Sequence, residues 1–225
     1  MTNLGVRALR GLLLTLFVVG AMLFLAAGTL RYWQAWVFLA LFGALALAVT
    51  LYLIKYDPEL LARRLRGGPT AEKEPRHKII MWFASIGFGA VLVVCGLDRR
   101  FGWSAAPASV TIAGSAIVAL GWAIIFCVFR ENSFSSATIE IAPDQKVIST
   151  GPYALVRHPM YAGGLLYILG MPVMLGSWWG LYAALLTTPP LIWRIFEEEK
   201  FLGEKLPGYR DYRDKVKYRL APFIW

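Results

Sequence analysis

The chain has 225 residues, 58% of them hydrophobic and only 16% charged. Soluble domains carry roughly 25% charged residues, so a soluble globular fold is excluded. The formal charge is +9, from 23 Lys and Arg against 14 Asp and Glu. The basic residues fall between apolar runs, which assigns them to membrane topology and anionic lipid rather than to nucleic acid.

A membrane helix needs about 20 apolar residues. Arg7 and Arg10 give the first run, roughly 9–30, a basic start, followed by apolar sequence over 12–30. It is too long for a signal-peptide core and a second run follows almost at once, so it reads as a retained helix. Further runs of full length occupy 33–54, 79–97 and 108–129. Two shorter ones, 161–175 and 178–196, are separated by the turn pair Gly176-Ser177 and read as a helical hairpin. Pro172 and several glycines weaken its first arm, and Pro189-Pro190 should kink the second.

The expectation is an all-α, polytopic membrane bundle of about six spans, with a C-terminal helical hairpin and an amphipathic tail. Residues 1–131 form a four-span region and 132–225 a functional core, within one structural domain. Twenty basic residues fall in the N-terminus, the second and fourth loops and the tail, against three (Arg31, Arg99 and Arg100) in the alternate loops. The positive-inside rule places both termini, and the functional core, on the cytoplasmic side. The loop 57–78 is polar, with Gly67-Gly68-Pro69, and reads as flexible. Cys95 and Cys127 lie in apolar runs and make no disulfide framework. His77 and His158 have no companions at metal-ligand spacing, so no metal is expected.

Three segments could carry chemistry. At 149–164, Gly151-Pro152 makes a turn and Pro159 holds His158 extended while starting a helix. The free N–H groups of that helix start, with Arg157 and His158, could bind an anion; a basic cap at the lipid surface is the structural alternative. At 193–202, Glu197, Glu198 and Glu199 end a membrane helix and cover most of its circumference, so at least one faces inward. Arg194 and Glu198 share a face. A carboxylate there could bind an ammonium or sulfonium group, against the alternative of a solvated acidic cap. In the tail, Tyr209, Tyr212 and Val216 share a helical face. They could wall a purine or a cation, or belong to an interfacial amphipathic helix.

Read together, Gly151-Pro152-Tyr153, Arg157-His158-Pro159-x-Tyr161-x-Gly163, Glu198-Glu199-x-x-Leu202 and Tyr209-x-x-Tyr212-x-x-x-Val216 resemble the isoprenylcysteine carboxyl methyltransferase superfamily. That superfamily includes phospholipid methyltransferases, and the likeness covers about 132–225. It implies a membrane methyltransferase using S-adenosyl-L-methionine, with a lipophilic methyl acceptor entering from the bilayer. Carried over by motif, the cofactor contacts are Lys146, Val147, Ile148, Tyr153, His158, Pro159, Met160, Tyr161 and Glu198. Arg194 falls where carboxyl methyltransferases place an arginine near the acceptor, which makes Arg194 and Glu198 the catalytic candidates. The resemblance leaves carboxylate O-methylation, phospholipid N-methylation and thiol S-methylation open. Of these, isoprenylcysteine carboxylate-type O-methylation is the most similar, although Ile195-Phe196-Glu197 departs from the usual arginine-threonine-glutamate lead-in to the acidic run and so counts against prenylcysteine recognition. Gly87-Phe-Gly89 lacks the third glycine of a dinucleotide fingerprint and lies in a span.

Two other readings compete. Sterol reductases using NADPH share Arg157-His158-Pro159-x-Tyr161 and an ending like Tyr218-Arg219-x-x-Pro222-x-x-Trp225. A non-enzymatic membrane protein is the third reading, and it leaves the ordered motifs unexplained.

Overall fold

The computed structural model describes residues 3–225. Four helices are long and apolar enough to cross a bilayer: α1 (Asn3–Ala27), α2 (Trp33–Tyr56), α4 (Pro75–Phe101) and α5 (Ala108–Glu131). Between α2 and α4 lies a short helix, α3 (Pro58–Arg64), and a 3-10 turn over Pro69–Ala71. The helical hairpin is present as α6 (Pro159–Met174) and α7 (Trp178–Leu186), continued by α8 (Thr188–Lys205). The tail carries α9 (Tyr209–Lys215).

Proline and glycine set several boundaries. Pro75 and Pro159 occupy the first turns of α4 and α6, where a missing N–H costs no helical bond. Gly102 closes α4 with φ +65°, and its N–H bonds Asp98 O at 2.8 Å. Pro189 and Pro190 fall in the first turn of α8, so the second arm breaks at Thr187 rather than inside a continuous helix. The arm bends as expected and its C-terminal part runs well past the apolar segment. Helix α6 has 16 residues, about 24 Å at roughly 1.5 Å per residue. It falls short of a hydrocarbon core of about 30 Å. The expected six spans thus resolve into four full-length helices and a shorter, bent hairpin.

The glycines that weaken α6 as an isolated helix are its interface. A Cβ at Gly163 would lie 2.7 Å from Gly121 O, and one at Gly121 would lie 2.6 Å from Gly163 O. A Cβ at Gly114 would meet Met174 N at 2.2 Å. Small residues let α5 and α6 touch backbone to backbone, the usual basis of helix association in lipid. Around this contact Leu23, Phe38, Leu92, Val118 and Met171 form the core. Leu14, Phe17, Leu25, Ile112 and Leu120 point outward, an apolar girdle for lipid.

The two ends of the bundle are both polar. At one end Asp98 accepts from Ser104 N and Ser104 Oγ, both at 2.7 Å, and from Ser177 Oγ at 2.5 Å. Ser177 Oγ in turn caps α7 by accepting from Gly180 N at 2.8 Å. Arg99 donates to Arg31 O here at 3.2 Å, and Tyr32 Oη to Leu175 O at 2.7 Å. The other end holds the loop 57–78, the segment 132–158 and the tail. The loop is not loose. Asp57 caps α3 by accepting from Leu60 N at 2.9 Å, and Glu72 and His77 are buried.

Candidate active site

Three chain segments meet at this second end. Residues 157 and 158 are tied to the tail: Arg157 N donates to Tyr218 O and His158 N to Arg219 O, both at 2.9 Å, while His158, with φ −124° and ψ 58°, is not in the extended region expected before Pro159. Glu199, buried on α8, gathers the cations around that strap. It accepts from Arg157 Nε at 2.7 Å and Arg219 Nε at 3.1 Å, and lies 3.2 Å from His158 Nε2. Arg157 Nη1 also donates to Val216 O and Lys217 O, each at 2.7 Å. Burial raises the Glu199 pKa, but the hydrogen bonds from His158 and Arg157 outweigh it and hold the carboxyl at about 2. Arg219 lies over both Phe196 and Trp225, 5.2 and 5.1 Å from their ring centres, and the two rings meet edge to face.

The three glutamates have three fates. Glu197 lies at the rim, where it accepts from Trp193 Nε1 at 3.2 Å. Glu198 accepts from Tyr161 Oη at 2.5 Å. Glu199 is the structural tie. Inward acidic groups were expected from the sequence, but the division between Glu198 and Glu199 was not. The side chains of Arg157 and His158, read as donors for an incoming anion, instead serve Glu199.

Beside this tie opens a cavity of about 350 Å³. Lys146, Val147, Ile148, Tyr153, His158, Pro159, Met160, Tyr161, Arg194 and Glu198 all line it. The structure therefore brings every sequence-derived site residue to one place. Tyr209 and Tyr212 form an aromatic wall with rings 5.9 Å apart. Tyr212 Oη donates to Tyr153 O at 2.8 Å, and Asn132 Nδ2 donates to Tyr153 Oη at 2.9 Å. Burial pushes the Tyr153 hydroxyl up to about 12, so it is a neutral donor at physiological pH.

Arg194 reaches the same cavity from α8. Its Nε donates to Tyr161 Oη at 3.0 Å and its Nη2 to Ala137 O at 3.1 Å. Nη2 also forms an ion pair with Glu72 Oε1 at 2.8 Å. Nη1 is buried without a protein partner, as is Tyr209 Oη. Two of the residues that line the cavity thus carry a buried polar atom without a protein partner.

Sequence reasoning missed Glu72 and Arg64. Arg64 lines the cavity from α3, donates to Ser136 O at 3.1 Å and lies 5.1 Å from the Phe129 ring centre. Both residues belong to a loop whose local pattern is merely basic and polar. Their role arises only when that loop folds over α8, and no local signal announces it. Among the described residues, no group of three or more His, Cys, Asp or Glu could hold a metal ion.

A model of the phospholipid methyltransferase family matches residues 109–207. The cobalt-zinc-cadmium resistance protein CzcN of Cupriavidus metallidurans is 27% identical over 143 residues, which span 61% of this chain and 60% of that protein. Among solved structures, the eukaryotic intramembrane Ras methyltransferase, isoprenylcysteine carboxyl methyltransferase, has a similar fold. The TM-score is 0.51 at 17% identity, over 93% of this chain and 74% of that one. The family match covers less than half of the chain, and the likeness to the solved structure is one of fold.

Proposed function

We propose that this chain, an integral membrane protein with the methyltransferase-superfamily fold, transfers a methyl group from S-adenosylmethionine to a lipophilic acceptor. The observation that carries the reading is the convergence of three separated segments on one cavity. Carboxylate, aromatic and helix-start groups meet there. A volume of about 350 Å³ lies in the range of small-ligand sites, roughly 300–1,000 Å³.

The donor set fits the cofactor. S-adenosylmethionine carries an ammonium, a carboxylate, a purine and a sulfonium, and its sulfonium supplies an already activated methyl carbon. Glu198 holds the ammonium with the oxygen that Tyr161 does not engage. At the start of α6 Pro159 has no N–H, and the Met160 and Tyr161 N–H groups meet the carboxylate at the positive end of the helix dipole. Tyr209 and Tyr212 flank the purine, and the Tyr209 hydroxyl, without a protein partner, is free to bond it. His158, fixed by Glu199, shapes the wall between the two ends of the ligand. Arg194 faces the acceptor. Such a site works by holding donor and acceptor in line and excluding water, with no covalent nucleophile. The basic residues at this end of the bundle support a cytoplasmic site, with both termini on the same side.

Calorimetric titration of the detergent-solubilised protein with S-adenosylhomocysteine, with NADPH run in parallel, tests the reading. Saturable binding of the homocysteine adduct is expected. Glu198→Gln should weaken it by on the order of 10- to 100-fold, the effect of a hydrogen bond to a charged group. Binding of NADPH alone would overturn the proposal in favour of a reductase.

A further inference from the structure

We propose that Glu72 is a positioning residue that makes the site accept an uncharged nucleophile, an amine or a thiol, and reject a carboxylate. The inference rests on the methyl-transfer reading above and names its acceptor class. It starts from the hydrogens of Arg194. A guanidinium grips a carboxylate through two parallel N–H donors on one edge. Here the Nε donor is taken by Tyr161 Oη at 3.0 Å. The adjacent Nη2 donates to Ala137 O at 3.1 Å and is ion-paired with Glu72 Oε1 at 2.8 Å. Both two-donor edges include Nη2, so both are blocked. What is left is Nη1, buried and unpartnered. It can bond one oxygen of a ligand and cannot form a fork.

Charge points the same way. The Glu72 side chain is fully buried and that of Arg194 is 9% exposed, so solvent screens their pair little. Glu72 cancels the Arg194 charge, while Glu198 is committed to the Tyr161 hydroxyl and, in the reading above, to the cofactor ammonium. Arg64 also lines the cavity, but its Nη1 is engaged by Ser136 O. A carboxylate brought to Nη1 would stand beside Glu72, and like charges so placed are costly. Glu72 is itself well held: its Oε2 accepts from Ile139 N at 3.2 Å and lies 3.9 Å from His77 Nδ1. The lock therefore belongs to the fold of the loop 57–78.

An uncharged acceptor leaves the transfer balanced. The nucleophile's lone pair forms the bond to the methyl carbon. The carbon–sulfur bond breaks with its electron pair kept by sulfur, and the nucleophile's surplus proton passes to water. Arg194 Nη1 contributes by holding an oxygen next to the nucleophile, a carbonyl, hydroxyl or phosphoryl oxygen, so that the lone pair points at the methyl carbon.

The test measures labelled methyl transfer from S-adenosylmethionine to three probes: N-acetyl-S-farnesylcysteine, farnesyl thiol and phosphatidylethanolamine in vesicles. Wild type should favour the thiol or the amine over the carboxylate by at least about tenfold in kcat/KM. Glu72→Gln, which removes the charge and keeps the shape, should narrow that ratio. Glu72→Ala, which also frees Nη2, should narrow it further. Both variants should bind S-adenosylhomocysteine as wild type does, which shows that they are folded. A wild-type preference for the carboxylate would overturn the inference, and so would a ratio that neither variant moves. No transfer to any probe by protein that binds S-adenosylhomocysteine also overturns it, leaving the methyltransferase reading in place. Failure of wild type to bind S-adenosylhomocysteine would instead sink that reading.

Discussion

Asp98, at one end of the bundle, meets three donors, all from the protein itself: Ser104 N, Ser104 Oγ and Ser177 Oγ. At the opposite end the acidic groups divide. Glu199 is satisfied as fully as Asp98, by Arg157, Arg219 and His158. Beside it, Arg194 Nη1 and Tyr209 Oη are buried with no protein partner. Buried polar groups normally find partners, and leaving one without costs roughly 1–3 kcal/mol. A closed network is therefore a fastening. An open one beside a cavity marks where a ligand completes the protein. The two kinds lie on one helix, α8, at Glu199 and Arg194, and under the proposed function that contrast would separate the fastening from the ligand-binding residue.

The largest expected effect breaks a fastening. Glu199→Ala leaves Arg157 buried with its best partner gone, and removing one member of a buried pair costs about 3–5 kcal/mol. Thermal unfolding should drop steeply. Limited proteolysis should release the tail 216–225, because the strap at 157–158 is tied to it. A smaller version of the same loss is available in wild type by acid. The folded Glu199 carboxyl titrates at about 2 against an ordinary 4.5. Its depressed value contributes stability that is complete above about 4.5 and is lost as pH falls toward 2, on the order of 3 kcal/mol in all. A stability-against-pH curve for Glu199→Gln should be flatter than wild type across that window. Curves that run parallel would remove Glu199 from its role as the tie.

How much of this the sequence disclosed follows from where each signal resides. The long helices are written in runs of apolar residues, and their ends in Pro75, Pro159 and Gly102, so they are legible locally. The cavity residues Tyr153, His158, Pro159, Tyr161 and Glu198 belong to ordered motifs, whereas Lys146, Val147, Ile148 and Arg194 are reached only through the family resemblance. The partition of roles within Glu197, Glu198 and Glu199 is not local. Neighbouring positions on a helix differ by about 100° in direction, and only the packing of the tail decides which one meets Arg157. Glu72 is less visible still. Its loop has no apolar period and reads as flexible, yet α3 and the 3-10 turn fold it against α8, where Arg194 fixes it. The glycines of α6 misled in the opposite sense. As propensities they argue against a stable helix, whereas in place they are what lets α5 approach.

The smallest effects give the finest test of the contrast between closed and open networks, by deleting one hydroxyl from each. Ser177→Ala removes a donor to Asp98 and the cap of Gly180 N. It should lower stability by about 1–2 kcal/mol while leaving the affinity for S-adenosylhomocysteine unchanged. Tyr209→Phe removes an oxygen that bonds nothing in the protein. The free protein should be as stable as wild type or slightly more so, since an unsatisfied buried group disappears. Affinity for S-adenosylhomocysteine should instead fall by a few-fold up to about tenfold, the worth of a single hydrogen bond of roughly 0.5–1.5 kcal/mol. Calorimetric titration and thermal unfolding of both variants read the two quantities together. If Tyr209→Phe lost stability and kept its affinity, the hydroxyl would be a fastening after all, and the purine would have to rest on Tyr153 and Tyr212 alone.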